Sequence, residues 1–288
     1  MSAAAKADGP TRPVAQLALC ADDFGMGEAV DQGILRLLAD GRLQAVSCLS
    51  AGALWPAHAG LLRQAQGEAS IGLHFNLSEG RPLSAAMRAR HVLWPGLLAV
   101  LRDSHLGRLP RLALADEFEA QWQAFTAAFG RNPDHVDGHQ HVHQLPGVRE
   151  VVMEALAACP QPPALRNTAP LRGPGFGFKR QVIAATGGRA LSRRLRARAW
   201  PANQRLLGVY DFDPARSYRS LMQGWLRDLP ARGSLLFCHP ALPDLAPAAD
   251  DAIGLARQNE FSYLGGAAFA VDLAAAGVAL APAWQISR

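Results

Sequence analysis

The residues with the most chemistry in this chain lie in one run, Asp137-Gly138-His139-Gln140-His141-Val142-His143. In an extended strand side chains alternate, so Asp137, His139, His141 and His143 are expected on one face. Four polar groups on a face that should be apolar make a poor core. They make a good mouth for a metal site. Similar groups recur elsewhere: Asp22 and Asp23 close the apolar run Val14–Ala21, and His74 interrupts Ile71-Gly72-Leu73-His74-Phe75. Arg166 closes Pro163-Ala164-Leu165, and His239 closes Leu235-Leu236-Phe237-Cys238. One carboxylate and two imidazoles would hold a catalytic divalent ion and leave positions open for water and substrate. Such an ion acidifies a water and polarises a carbonyl oxygen. A second carboxylate could take the water's proton, an imidazole could return one to the leaving group, and an arginine could orient the base or hold a developing oxyanion. Hydrolysis of an amide or ester is what these parts serve best. Helix capping accounts for at most one of Asp22 and Asp23. Adjacent on a strand, the two should point to opposite sides and hold different jobs.

The elements that must position these groups alternate along the chain. Strands are expected near 14–21, 43–49, 69–77, 135–137, 163–168, 206–212, 233–238 and 278–281, each a short apolar run of the kind buried in a parallel sheet. Helices fall between them, near 27–40, 56–66, 147–159, 217–228 and 251–264. A further helix carries Phe118, Trp122, Phe125 and Phe129 at helical spacing and stops at Gly130. The aromatic stripe reads as core packing. Residues 78–114 and 169–205 are broken by glycine and proline and read as two insertions, the first a long loop with short helices that shapes a cleft. Residues 1–13 read as a flexible tail. The alternation predicts an α/β fold, a single distorted TIM-like (β/α) barrel over residues 1–288, with reactive groups at the C-terminal ends of the strands.

Composition agrees with a large core: 49% of the 288 residues are hydrophobic and 18% charged. The net charge of +5 owes much to Arg189, Arg193, Arg194, Arg196 and Arg198. No aromatic interleaving or binding motif accompanies them, so a solvated basic helix is expected and no nucleic acid. Cys20, Cys48, Cys159 and Cys238 form no CxxC pair and suit reduced, mostly buried thiols. No apolar run is long enough to span a membrane and no signal segment is evident. A cytoplasmic protein is expected, and the tryptophan and leucines of the first insertion could line a homodimer interface as easily as a cleft.

The chain resembles the YdjC family of carbohydrate deacetylases, the group that includes chitooligosaccharide deacetylase and the hopanoid-associated HpnK proteins. The resemblance rests on Ala21-Asp22-Asp23-Phe24-Gly25, Gly72-Leu73-His74-Phe75-Asn76-Leu77, Asp137 to His143, Cys238-His239-Pro240, Asp251 and Ala256-Arg257-Gln258-Asn259-Glu260. It implies a distorted barrel that removes an N-acetyl group from an amino sugar with one divalent metal ion, zinc or magnesium. The implied metal ligands are Asp23, His74 and His139, with Asp22 as general base. By the same resemblance His141 and His143 become cleft or supporting residues, and Asp137 a candidate to orient an imidazole. Analogy with the wider sugar deacetylases casts Arg166 as charge stabiliser and His239 as general acid. Two other readings compete: a sugar isomerase or lyase using the same metal, and a non-catalytic sugar- or metal-binding protein.

Overall fold

Every residue from Leu17 to Phe24 is buried in β1 (Ala15–Phe24), the longest strand. It is an apolar run covered on both faces, as a strand inside a parallel α/β sheet must be. The computed structural model describes residues 15–227, 229–246 and 251–284, so the expected tail at 1–13 lies outside the described residues. After β1 come β2 (Ala45–Cys48), β3 (Ser70–Phe75), β4 (His135–Gly138), β5 (Ala164–Leu165), β6 (Arg205–Leu207), β7 (Ser234–Cys238) and β8 (Val278–Leu280). All the pairings are parallel, in the order β5-β4-β3-β2-β1-β7-β6, with β8 against the start of β1.

The sheet curls toward a barrel as expected, and its closure is irregular. Beyond β5 the chain meets β6 through a single bridge, Leu171 to Leu206, and Leu165 N–H donates to the Pro201 carbonyl at 2.9 Å. Strands as short as β5 and β6 cannot complete a full ladder, so the seam is built from loop backbone. All strands run the same way, and their C-terminal ends collect on one rim.

Helices α1 (Glu28–Ala39) and α2 (Trp55–Ala65) follow β1 and β2. The first insertion holds α3 (Ala85–Arg88) and α4 (Leu97–His105), and α5 (Arg111–Phe129) leads into β4. The aromatic stripe of α5 does pack the core: Trp55 stacks on Phe125 at 5.1 Å, and Phe118 meets Phe75 edge-on at 5.2 Å. Burying rings of this size stabilises the fold by about 1.5–3 kcal/mol each. Gly130 ends the helix in the left-handed conformation, φ 88°.

The buried polar residues of α5 tie the first insertion down. Glu117 accepts the backbone N–H groups of Leu83 and Ser84 at 3.0 and 2.8 Å. Gln121 accepts from Asn76 N–H at 3.0 Å and donates to the Asn76 carbonyl at 2.7 Å. After α6 (Val148–Ala157), the second insertion forms α7 (Gly177–Ile183) and α8 (Arg189–Ala197). Helix α8 buries Leu191 and Leu195 and turns Arg189, Arg193 and Arg196 to solvent, the basic face expected from sequence. Helices α9 (Tyr218–Trp225), α10 (Gly254–Leu264) and α11 (Ala267–Ala276) are the last helices among the described residues. No helix among the described residues is long and apolar enough to cross a membrane.

Candidate active site

The carboxylates Asp22 and Asp23 do not face opposite ways. The pairing of β1 with β2 slips between Ala21 and Phe24, and Asp23 adopts φ 74°, a region uncommon for any residue but glycine. This kink breaks the alternation of the strand, so both carboxylates line the same cavity. Neither caps a helix: α1 begins at Gly27 with no side-chain cap. A strained backbone held by packing on both sides is a common mark of a functional position.

The histidine run also departs from the strand expectation. β4 stops at Gly138, and His139–Gln144 winds into a 3-10 turn with Gln140 and His141 at φ 51° and 63°. The three imidazoles therefore go separate ways. His139 reaches Asp23, while His141 lines the cavity edge-on to Phe237 at 5.3 Å. His143 is buried and donates from Nε2 to the Arg166 carbonyl at 3.0 Å. Gly138 permits the reversal, because a Cβ there would stand 2.8 Å from the His143 backbone nitrogen.

One oxygen is the meeting point. Asp23 Oδ1 lies 2.9 Å from His139 Nδ1 and 3.3 Å from His74 Nε2, and all three side chains are buried. The far nitrogen of His74 is engaged by Asp137, Nδ1 to Oδ1 at 2.6 Å. This fixes which nitrogen turns toward Asp23. One donor atom from each of Asp23, His74 and His139 falls within 4.8 Å of the others, compact enough for all three to bind one ion. A carboxylate with two imidazoles suits a divalent transition metal, so the donor set fits the ion that the resemblance implies.

Charge in this cluster is tightly balanced. Burial alone would lower the pKa of His74, but the carboxylates of Asp137 and Asp22 outweigh it and hold it up to about 10. Burial likewise opposes the Asp23 charge that keeps His139 up at about 9. Asp23 itself stays well below the usual carboxylate range: burial raises it, and the cations of Arg257 and His139 more than reverse that.

Beside the trio stands the second carboxylate. Arg166 Nη1 and Nη2 grip the two oxygens of Asp22 at 2.6 and 2.7 Å, and Nη2 also reaches Asp137 Oδ2 at 2.5 Å. Arg166 is fully buried behind Asp22 and is not among the residues of the cavity wall. It is placed to hold the carboxylate. On the same cavity wall, at the end of the neighbouring strand β7, His239 is flanked by the rings of Phe212 and Phe237 at 5.2 and 5.6 Å. Its backbone N–H donates to Glu260 at 2.5 Å. The six residues given a metal-binding or catalytic role from sequence thus cluster at one rim, five on the cavity wall and Arg166 behind it.

A model of the YdjC-like protein family matches residues 16–275. The chain belongs to the YdjC-like family. A carbohydrate deacetylase of Mus musculus is 33% identical over 263 residues, covering 82% of this chain and 81% of its own. One of Homo sapiens is 40% identical over 154 residues, a match that spans 51% of this chain and about half, 47%, of the human protein. Among solved structures, a putative cellobiose-phosphate cleavage protein from Enterococcus faecalis V583 superposes with a TM-score of 0.69 at 19% identity. That match covers 93% of this chain and 97% of the bacterial one, and establishes a shared fold.

In this YdjC-like chain the cavity is about 830 Å³ and draws on both insertions, through Glu79 and Leu97 from the first and Lys179 and Ile183 from the second. Two charged wall residues that touch the trio were given no role by the sequence reading. Arg257, on α10, donates to Asp23 Oδ2 at 2.7 Å and pairs with Asp251 at 3.0 Å. Glu79 stands 3.2 Å from His139 Nε2, and this contact holds its pKa below the usual value. Arg257 lies in a block that carries the family resemblance, which was its only signal. Glu79 sits in Ser78-Glu79-Gly80, which reads as a solvent turn.

Proposed function

We propose that this chain hydrolyses the N-acetyl group of an amino sugar, releasing acetate and the free amine. The reading is carried by one observation: Asp23, His74 and His139 converge on a single point while a second carboxylate, Asp22, opens onto the same cavity. A pure binding site has no use for that second carboxylate. The names of the relatives supply the substrate class. With two imidazoles in the donor set, zinc or another transition metal suits the site better than magnesium.

An ion held by Asp23, His74 and His139 would polarise the acyl oxygen and acidify a water. The remaining work falls to side chains. Asp22 takes a proton from the water as its oxygen bonds to the acyl carbon. Arg166 holds both Asp22 oxygens, so the carboxylate stays oriented toward the cavity for that transfer. Buried behind Asp22, Arg166 acts by positioning the base, and its charge reaches a developing oxyanion only at second hand. His239 gives a proton to the sugar nitrogen as the C–N bond breaks, with Phe212 and Phe237 confining its ring.

The test is acetate release from N-acetylated mono- and disaccharides. Turnover should vanish with a chelator and return with added zinc. Sugar conversion without acetate would instead favour an isomerase or lyase. Stoichiometric metal and sugar binding with no conversion would point to a non-catalytic role.

A further inference from the structure

Resting on the proposed metal site, we infer that Glu79, carried by the first insertion, is a positioning residue that fixes how His139 presents itself to the ion. The two imidazoles of the trio are placed alike. His74 turns Nε2 toward Asp23 Oδ1 and gives Nδ1 to the carboxylate of Asp137. His139 does the reverse, turning Nδ1 toward the same oxygen and Nε2 toward Glu79 Oε2, 3.2 Å away. The Glu79 contact lies off the hydrogen-bond axis, and His139 Nε2 is otherwise buried without a partner. An N–H so placed needs an acceptor. A carboxylate on the far nitrogen fixes the tautomer and raises the basicity of the ligating one.

Glu79 is half exposed, but its position is built. The Asn76 side chain accepts from the Glu79 backbone N–H at 3.2 Å and donates to the Glu79 carbonyl at 2.7 Å. Asn76 is in turn clamped by Gln121 of α5. Gln140, in the left-handed turn after His139, donates to the other Glu79 oxygen at 2.6 Å. The insertion thus contributes a wall to the cavity and also a brace for a metal ligand.

Zinc affinity, measured by competition with a chromophoric chelator, tests this without reference to turnover. Glu79→Ala should weaken binding about 10- to 100-fold, and Glu79→Gln, which keeps an acceptor, should recover part of the loss. Long-range proton–nitrogen NMR on the zinc-loaded protein should find the His139 proton on Nε2, with that signal shifted or broadened in Glu79→Ala. Unchanged zinc affinity in Glu79→Ala would overturn the inference, as would a rise in KM alone, which would make Glu79 a sugar contact. Failure of the site itself looks different: wild type would then bind no zinc, or Asp23→Asn and His139→Ala would bind it as tightly as wild type.

Discussion

Arg166 stands between two buried carboxylates, and removing it leaves both without compensation. It touches Asp22 through both terminal nitrogens and Asp137 through one, while Ser47 donates to Asp137 at 2.6 Å. Breaking a buried ion pair from one side costs about 3–5 kcal/mol. Arg166→Met should therefore lower the stability of the metal-free protein by that order, read as the shift in urea midpoint at constant slope. A midpoint that does not move would mean that the Arg166 pairings with Asp22 and Asp137 contribute nothing to stability. Asp22→Asn separates chemistry from binding. It should cut kcat about 10²- to 10⁴-fold, as loss of a general base does, while zinc affinity stays within about threefold of wild type. Full turnover by Asp22→Asn would remove Asp22 from the mechanism. The sequence made these residues visible because polar groups at the ends of buried apolar runs have few structural uses. It hid Glu79 and gave Arg257 no role beyond a place in a family block, because their partners His139 and Asp23 are tens to hundreds of residues away along the chain. Pairings of that kind exist only once the strands are side by side.

At the scale of elements, apolar periodicity located most strands and helices to within a few residues, and the stripe on α5 marked a core helix. The strand expected over 206–212 stops at Leu207, and α7 forms inside a stretch read only as an insertion. Backbone reversals were not legible. Asp23, Gln140 and His141 all take positive φ, and none is a glycine that would announce it. Side-chain alternation therefore failed at the two places where the site is assembled. The second reversal depends on the glycine before it. In Gly138→Ala the new Cβ would meet the His143 backbone nitrogen at 2.8 Å, so the turn must shift and carry His139 with it. The three atoms nearest that methyl all belong to His143, so the rest of the sheet should keep its form. The expected result is a native far-ultraviolet circular dichroism spectrum with zinc affinity reduced at least about tenfold, the loss typical when a ligand is misoriented. A variant that folds and binds zinc as wild type would show that the turn has slack.

For the whole molecule, the metal-free and metal-loaded proteins should respond to alkali in different ways. His74 and His139 have folded pKa values of about 10 and 9, above the roughly 6.5 of an unfolded histidine. A raised imidazole pKa adds stability that is complete below about pH 6.5 and disappears as pH climbs through the folded values. The metal-free protein should thus lose stability steadily between about pH 7 and pH 10. Burial also lifts the thiols of Cys20, Cys48 and Cys238, and that pulls the same way above about pH 8.5. The thiols act whether or not metal is bound, so the difference between the two forms isolates the imidazoles. With zinc in place both rings are already neutral at neutral pH, each keeping only the proton on its far nitrogen, and the stabilisation by metal should grow as pH rises, because fewer protons compete for the site. Unfolding midpoints of both forms, measured at intervals from pH 6 to 10, should diverge with increasing pH. Parallel curves would mean that the two histidines do not hold protons in the empty site, and the carboxylates around them would then have to be neutralised in some other way.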